Sequence, residues 1–275
     1  MLKNKKTKEE KPLKNVLITG AYGGMGRATA RKLSSQGIRV FALDRRVEGE
    51  EENIIPTKAD ITSEEGVRKA LEFVKSYTDS LDAIIHFAGV YMLDSLVEME
   101  SDDFKKIIDI NLYGVYLINK VFLPLLCEGG RILITTSELA PLDPLPFTGI
   151  YAVSKGALDK YAYSLRMELQ LLKIKVSVLR AGAVDTGMLG VSTDALDRFC
   201  EKTKLYNCNA KRFKKIVNSV EARSVKPEKI AKRADKILKK RNPRFAFSIN
   251  RNPLLLLLNA LPKGIQLWAI GKILK

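Results

Sequence analysis

Short apolar runs alternate with segments of helical periodicity along almost the whole chain. The runs are continuously apolar, and they lie at 15–19, 38–43, 53–56, 81–87, 131–135, 175–179 and 244–249. Such runs are typical of strands that are buried on both faces, as in a parallel sheet. The helical segments lie at 24–36, 62–77, 102–126, 151–172 and 227–240. This alternation predicts one doubly wound α/β domain, with helices covering both faces of a parallel sheet.

The boundaries of that domain follow from composition. Residues 1–14 are rich in lysine and predict a flexible basic arm, residues 15–252 carry the strands and helices, and residues 253–275 form an apolar and basic tail. We see no linker that divides 15–252. The first 14 residues lack the apolar stretch of a secretory signal, so the expected location is the cytoplasm, with membrane association left open.

Cysteine and histidine are scarce. The three cysteines are Cys127, Cys200 and Cys208, and none forms a Cys-x-x-Cys pair, which indicates a reducing compartment and argues against structural zinc. Cys127 lies in an apolar run that predicts a buried helical position. The single histidine, His86, argues against His-rich metal sites and His-dependent triads, so no metal is expected.

The chain is strongly basic, with 47 Lys and Arg against 31 Asp and Glu and a formal net charge of +16. Much of this charge lies in the arm and in the segment 202–251. A basic surplus favours a polyanionic neighbour, either nucleic acid or an anionic membrane, and the alternative is a merely solvated surface. The sequence contains no aromatic RNA-binding motif or zinc finger, so nucleic acid is not the expected partner.

A glycine-rich turn follows the first strand, and Gly20, Gly24 and Gly26 recur in it with the spacing of a dinucleotide-binding loop. Gly20 permits the tight turn, Gly24 lets backbone approach a phosphate, and Gly26 allows close packing of helix on strand. Tyr22 and Met25 lie between them and are expected to contact the cofactor. The helix that follows presents free N–H groups to a pyrophosphate.

Asp44 ends the second strand, where a carboxylate binds both ribose hydroxyls of NAD and repels a 2′-phosphate. Arg45 and Arg46 act in the opposite direction, because either can neutralise that phosphate. We therefore expect NAD to be favoured over NADP. The alternative reading of Asp44 is an ordinary turn residue at a strand end.

Tyr151 and Lys155 lie four residues apart, on one face of a predicted helix. A free phenol has a pKa of ~10 and is a poor base at neutral pH. A nearby ammonium favours the phenolate and is expected to lower that pKa. The pair can then move a proton to or from an alcohol or carbonyl oxygen.

Taken in order, these motifs resemble the short-chain dehydrogenase/reductase family, and in particular its hydroxysteroid and retinol dehydrogenases. The resemblance runs from residue 15 to 188 and implies a Rossmann fold and an NAD(P)-dependent oxidoreductase. It also implies roles for positions beyond the glycine turn. The implied catalytic residues are Asn111, Ser137, Tyr151 and Lys155. The implied cofactor-binding residues also include Asp60, Ile61, Ala88, Gly89, Gly182, Val184 and Thr186.

The implied mechanism gives each catalytic residue one task. Tyr151 is the acid or base, and Lys155 lowers its pKa and binds the nicotinamide ribose. Ser137 holds the substrate oxygen, and Asn111 positions a water that links Lys155 to solvent. The competing hypothesis is a non-catalytic nucleotide-binding regulator, or a nucleic-acid-binding protein, on the same fold.

Two positions depart from the family pattern. His86 and Phe87 stand where two asparagines are usual, and Ala181 replaces a usual proline. We expect Phe87 to fill apolar space and His86 to be a satisfied strand-end side chain rather than a catalyst.

The substrate side is apolar. Segment 189–225 lies where the family places its substrate lid, and Phe147, just before Tyr151, is expected to contact substrate. These residues predict a lipophilic small molecule such as a steroid, a retinoid or a long-chain alcohol. The family habit of pairing two long helices across a two-fold axis implies a homodimer or homotetramer. The tail 253–275 has two open interpretations, peripheral contact with a membrane and packing over the substrate pocket or a second subunit.

Overall fold

The computed structural model describes residues 12–221 and 224–275, without the side chains of 188–194 and 218–221. Most of the predicted basic arm, and lid residues such as Leu189 and Val191, therefore lie outside the described residues or side chains. The described strands are β1 (Asn15–Thr19), β2 (Arg39–Asp44), β3 (Ile54–Lys58), β4 (Leu81–His86), β5 (Leu126–Ser137), β6 (Lys175–Ala181) and β7 (Ala246–Ile249). The described helices are α1 (Gly24–Ser34), α2 (Glu64–Lys75), α3 (Ser101–Ile108), α4 (Gly114–Phe122), α5 (Gly149–Leu169), α6 (Gly187–Lys202), α7 (Asn207–Glu221), α8 (Pro227–Leu238), α9 (Pro253–Asn259) and α10 (Lys263–Leu274).

The strands form one parallel sheet in the order β3-β2-β1-β4-β5-β6-β7. The order reverses between β1 and β4, and such a switch point is where doubly wound sheets bind ligands. Pro56 is accommodated because β3 is an edge strand. The predicted fold class is confirmed.

Side chains of successive strand residues point to opposite faces and build two cores. Leu17 joins the core that packs under α2, α4 and α5, while Val16 and Ile18 join the core under α1 and α8. A third, smaller cluster joins the lid helices α6 and α7 to the loop before α5 and to the end of α10.

The predicted helix at 102–126 is broken in the structure. A π-helical turn at Asp109–Tyr113 separates α3 from α4, and a 3₁₀ turn containing Pro124 ends the segment, so Leu126 already begins β5. Cys127 thus lies in a strand, half-buried, and the prediction of a helical core position is wrong. Proline cannot continue a helix, which explains the early end.

Helix boundaries elsewhere shift by a few residues. The N-cap of α2 is Ser63, whose Oγ accepts from the Gly66 N–H, whereas Thr62 donates to Asp60. Helix α1 ends at Ser34, and Gly37, with φ +75°, turns the chain into β2.

Within the described part of the chain, one helical segment, Ser101–Leu125, is long and apolar enough to cross a bilayer. Half of its apolar window is buried inside the fold. Since its members Leu117, Ile118 and Phe122 belong to the core beneath the sheet, we assign the segment to that core.

Candidate active site

The glycine turn after β1 lies against the loop after β4. Gly20 has φ +66°, a left-handed conformation that favours glycine, and a Cβ added there would lie 2.5 Å from the Ala88 nitrogen. A Cβ on Gly26 would overlap the Gly20 carbonyl oxygen. Both glycines are therefore required by close backbone approach at the switch point of the sheet.

A cleft of about 750 Å³ opens beside this turn. A Cβ on Gly24 would lie 2.6 Å from Thr186 Cγ2, so the loop after β6 closes one side of it. Most of the predicted cofactor-binding residues line this cleft, namely Gly20, Gly24, Met25, Gly26, Asp44, Arg45, Asp60, Ile61, Ala88, Gly89 and Thr186. Free N–H groups at the start of α1, bare glycine backbone and a carboxylate at the end of β2 are the features that a dinucleotide requires, so these residues fit the cofactor.

Asp44 has two structural contacts. One carboxylate oxygen accepts from the Tyr22 N–H at 3.2 Å, and the other accepts from the Arg46 N–H at 3.4 Å. The carboxylate thus supports the glycine turn as well as lining the cleft. Tyr22 contributes its backbone N–H to this contact with Asp44, and its ring lies 5.7 Å from the Arg27 guanidinium. Tyr22 is absent from the described lining of the cleft, and its predicted contact with the cofactor stays a prediction.

A second cavity of about 530 Å³ adjoins the first, and Gly89, Tyr91 and Thr186 line both. Ser137, Tyr151, Lys155, Gly182 and Val184 line this second cavity. The structure therefore brings three of the four predicted catalytic side chains, Ser137, Tyr151 and Lys155, to the junction between a dinucleotide-sized cleft and a largely apolar chamber.

Tyr151 and Lys155 lie one helical turn apart in α5, with Lys155 Nζ 5.9 Å from the centre of the Tyr151 ring. Burial raises the pKa of Tyr151 to about 12, against a smaller opposing effect of its hydrogen bond to Ser137. Burial also lowers the pKa of Lys155 to about 8. The expected lowering of the phenol pKa is therefore wrong, because burial outweighs the hydrogen bond to Ser137 and the carboxylate of Glu138 raises the pKa further.

Asn111 lies in the π-helical turn between α3 and α4 and is fully buried. Its Oδ1 accepts from the Val90 N–H at 2.8 Å, and its Nδ2 donates to the Val90 carbonyl at 2.9 Å and to Ser154 Oγ at 3.0 Å. A Cβ on Gly89 would lie 3.1 Å from Lys155 Nζ and 3.2 Å from Asn111 Oδ1. The widened turn thus holds the loop after β4 close to the lysine.

Three residues at the site were missed by the sequence reasoning. Ser154 links Asn111 to the Tyr151 carbonyl, and the ring of Tyr91 lies 4.8 Å from that of Tyr151. Glu138 lines the second cavity, and its carboxylate accepts from the Asn252 N–H at 2.6 Å. Burial raises the pKa of Glu138. Glu138 could have been found from the sequence, because it directly follows the predicted Ser137. Ser154 and Tyr91 match no sequence pattern.

Phe147 is absent from the described lining of the second cavity, and its predicted contact with substrate stays a prediction. The residue has φ +66°, and its ring packs on Phe199 at 4.6 Å and on Phe213 at 5.4 Å. The described lining of the cavity includes its neighbours Leu145, Pro146 and Thr148 instead. The unusual backbone conformation turns the ring into the lid cluster.

His86 and Phe87, the two residues at the end of β4 that depart from the family pattern, pack inside the fold. His86 Nε2 and Asn119 Oδ1 are 2.9 Å apart in the buried core, and burial lowers the pKa of His86 to about 4. Phe87 is 7% exposed and packs into the core under α1 and α8. Phe87 therefore fills apolar space as expected. His86 has a partner at Nε2 but no described partner at Nδ1, so it is only partly the satisfied side chain that was expected.

The family model described as short chain dehydrogenase matches residues 14–197, which is more than half of the chain. The chain belongs to the short chain dehydrogenase family. The predicted resemblance is thereby confirmed, and with it the assignment of the protein as an NAD(P)-dependent oxidoreductase.

Several characterised proteins are similar to this dehydrogenase. It is 33% identical over 192 residues to the NADPH-dependent 1-acyldihydroxyacetone phosphate reductase of Schizosaccharomyces pombe, covering 66% of this chain and 65% of the relative. It is 27% identical over 231 residues to the 3-ketodihydrosphingosine reductase of Bacteroides thetaiotaomicron, covering 84% and 85%. It is 32% identical over 199 residues to estradiol 17-beta-dehydrogenase 2 of Mus musculus, covering 67% of this chain and 51% of the relative.

Solved structures share the fold. The 3-ketoacyl-(acyl-carrier-protein) reductase of Brucella melitensis, complexed with NADH, superposes with a TM-score of 0.69 at 24% identity, covering 86% of this dehydrogenase and 96% of that chain. ElxO with NADP bound gives a TM-score of 0.68 at 23% identity, covering 86% and 97%. Solved structures that contain NADH and solved structures that contain NADP therefore both share this fold.

Proposed function

We propose that this dehydrogenase interconverts an alcohol and its carbonyl on a lipophilic substrate, with Tyr151 as the acid or base. The observation that carries the proposal is the composition of the second cavity. Its walls include Leu145, Leu255, Leu258 and Ile270, and its polar side chains Ser137 and Tyr151 lie beside the dinucleotide cleft. A mostly apolar chamber with a few convergent polar groups is typical of a site that binds a hydrophobic molecule.

The substrate class that fits best is a ketone on a long hydrocarbon chain. Two relatives are named for such substrates, an acyldihydroxyacetone phosphate and a ketodihydrosphingosine. A third is named for a steroid, which is also hydrophobic. The cavity of about 530 Å³ is large enough to bury a substantial part of one acyl chain or a steroid ring system.

The chain's own residues account for the proton transfer. Because the pKa of Tyr151 is raised to about 12, its hydroxyl holds its proton at neutral pH and can donate it to a carbonyl oxygen. Ser137 orients that oxygen and stabilises the charge that develops on it. Asn111 holds the loop around Gly89 through its hydrogen bonds to Val90, and Lys155 Nζ lies close to that loop. We assign Lys155 to ribose binding and Asn111 to proton supply. When bound, the nicotinamide supplies or accepts the hydride.

We favour NAD over NADP because the Asp44 carboxylate lines the cleft at the end of β2, where a 2′-phosphate would meet a like charge. Arg45 lines the same cleft, and one relative is named as NADPH-dependent. The preference between NAD and NADP therefore depends on which side chain, Asp44 or Arg45, lies against the ribose.

The assembly that we propose is a homodimer or homotetramer built on the outer faces of α3, α4 and α5. Large hydrophobic side chains remain exposed there, namely Phe104, Tyr113, Tyr116, Val153 and Met167. Exposed apolar side chains grouped on one face are typical of a subunit contact. We place the enzyme in the cytoplasm, in contact with a membrane through its C-terminal tail.

Cofactor absorbance, followed with a panel of carbonyl compounds, tests this function. The panel contains a 3-keto sphingoid base, an acyl-dihydroxyacetone phosphate, a steroid ketone, a retinal and a short polar ketone, each with NADH and with NADPH. We expect the lipophilic ketones to be reduced with a higher kcat/KM than the short polar ketone. Turnover confined to the polar ketone, or equal in a Tyr151→Phe variant, would contradict the proposal.

A further inference from the structure

The C-terminal helices α9 and α10 form part of the wall of the second cavity. Leu255, Leu258, Ile270 and Leu274 line it from the tail. Three polar contacts fix the tail in place. The Asn252 N–H donates to Glu138 at 2.6 Å, the Asp143 N–H donates to Asn259 Oδ1 at 2.6 Å, and Asn209 Nδ2 donates to the Leu274 carbonyl at 2.6 Å.

Large apolar side chains of the same helices are also exposed to solvent, and two of them, Leu254 and Ile273, also line the second cavity. The exposed fraction is 65% for Leu254, 64% for Leu257, 74% for Leu267, 66% for Trp268 and 58% for Ile273. These five side chains are called the tail surface below. Single exposed leucines are ordinary, but a group of large ones on two consecutive helices marks an interaction site.

The charge of the tail has one sign. Residues 253–275 contain Lys263, Lys272 and Lys275 and no aspartate or glutamate. Helix α7, which contributes Ala210 and Phe213 to the cluster that includes Leu274, adds the exposed Lys211 and Lys215. An apolar surface flanked by lysines complements an anionic lipid surface, which attracts each of them.

We propose that the tail surface docks this dehydrogenase onto an anionic bilayer, with α9 and α10 lying in the plane of the interface. The two helices have 7 and 12 residues. At ~1.5 Å per residue neither crosses a hydrocarbon core of ~30 Å, so they lie on the membrane rather than span it. Trp268 and the lysines then sit at the level of the headgroups.

A second copy of the chain fits this surface less well. In a two-fold contact the same patch meets itself, which would bring lysines of both tails together. Neither tail contains an acidic residue, and the described acidic partner of Lys263, Asp143, already pairs with it within the same chain. An anionic bilayer supplies the missing negative charge. The position of the tail has a further consequence, which rests on the proposed function: a lipophilic ketone reaches the second cavity from the membrane, past the residues of α9 and α10.

Trp268 is the only tryptophan in the chain, so its fluorescence reports directly on the tail surface. The full-length protein is mixed, without cofactor or substrate, with vesicles of phosphatidylcholine alone or with added phosphatidylglycerol. We expect co-sedimentation and a blue shift of the emission with the anionic vesicles, both weakened by salt. In Leu267→Glu binding should fall at least 10-fold, whereas in the matched Leu171→Glu, at a side chain that is 82% exposed on another helix end, it should not change.

Absence of vesicle binding by the wild-type protein, or equal loss in both variants, would overturn the docking proposal. So would a Trp268 emission that is already blue-shifted without vesicles and that shifts back to the red on dilution, because a second copy would then cover the tail. For substrate entry, Leu267→Glu should raise the KM for a vesicle-borne ketone and leave turnover of a soluble ketone unchanged. A wild-type protein that binds vesicles but reduces no ketone would refute the proposed function alone.

Discussion

Arg180 in β6 donates hydrogen bonds to both carboxylate oxygens of Asp159 in α5, at 3.0 Å from Nε and 2.6 Å from Nη2. Asp159 lies one helical turn beyond Lys155, and Thr136, the residue before Ser137, also donates to it at 3.4 Å. Only 21% of the Arg180 side chain and 12% of the Asp159 side chain are exposed. This ion pair therefore fixes the helix of Tyr151 and Lys155 relative to the strand of Ser137.

Asp159→Asn should lower both stability and turnover, because it leaves the Arg180 guanidinium half-paired near the core. Removing one partner of a buried pair costs about 3 kcal/mol, and we expect somewhat less here because both groups keep some solvent contact. Urea unfolding and kcat are the measurements. Glu128→Gln is the matched control, since the exposed pair of Glu128 with Lys173 should contribute under about 1 kcal/mol. Equal losses in the two variants would contradict a special role for Asp159.

Tyr151→Phe should abolish most turnover while nucleotide binding survives. Loss of a general acid costs about 100- to 10,000-fold in rate, and the phenyl ring preserves the packing against Tyr91. Turnover and cofactor affinity should be measured together. Tyr163→Phe, at an exposed tyrosine on the same helix, is the control and should retain full activity. A Tyr151→Phe enzyme with near-normal kcat would remove the phenol from the mechanism.

Lys155 should give the pH profile of kcat/KM an alkaline limb. Its pKa is lowered from 10.5 to about 8, so the ammonium form is lost as pH rises through about 8. Tyr151, with a pKa raised to about 12, does not titrate in that range. In Lys155→Arg the guanidinium stays charged, and the limb should disappear from this window. If the limb keeps its midpoint in Lys155→Arg, another group causes it.

The architecture could be predicted from local pattern because continuous apolar runs and helical periodicity repeat along the chain. The structural roles of Gly20 and Gly26 were predicted correctly because close backbone approach there admits only glycine, whereas the approach of Gly24 to a phosphate stays a prediction. The π-helical turn at Asp109–Tyr113 was missed, and so was the strand position of Cys127, because Leu126 continues an apolar run that does not distinguish helix from strand.

Side-chain direction and ionisation could not be predicted in the same way. Phe147 adopts φ +66°, and its ring packs among Phe199 and Phe213. No local sequence pattern predicts this backbone conformation. The Tyr151–Lys155 spacing was evident, but the raised pKa of the phenol depends on burial by distant elements. The tail had two interpretations. The side chains that line the second cavity support packing over that cavity, whereas contact with a membrane stays a proposal that rests on the exposed apolar side chains.

His86 should make the protein sensitive to acid. Its pKa falls from 6.5 to about 4 on folding, so its contribution to stability is complete above pH 6.5 and is lost as pH falls towards 4. The full loss is about 3 kcal/mol. Since it is the only histidine, its imidazole proton signals titrate without ambiguity. His86→Asn should remove this part of the pH dependence in urea unfolding. An NMR midpoint near 6.5 would show that the ring is not buried.

Asp44→Ala should shift the cofactor preference from NAD towards NADP. The substitution removes the charge that would repel a 2′-phosphate and leaves Arg45 in the same cleft to attract it. We expect the ratio of kcat/KM for NADH to that for NADPH to fall by at least 10-fold. Because Asp44 also accepts from the Tyr22 N–H, Asp44→Asn serves as the control that keeps an acceptor for the glycine turn and loses only the charge. It should shift the ratio in the same direction with little loss of stability. If neither variant alters the ratio, Asp44 acts only as a turn residue and the preference for NAD has no basis in this side chain.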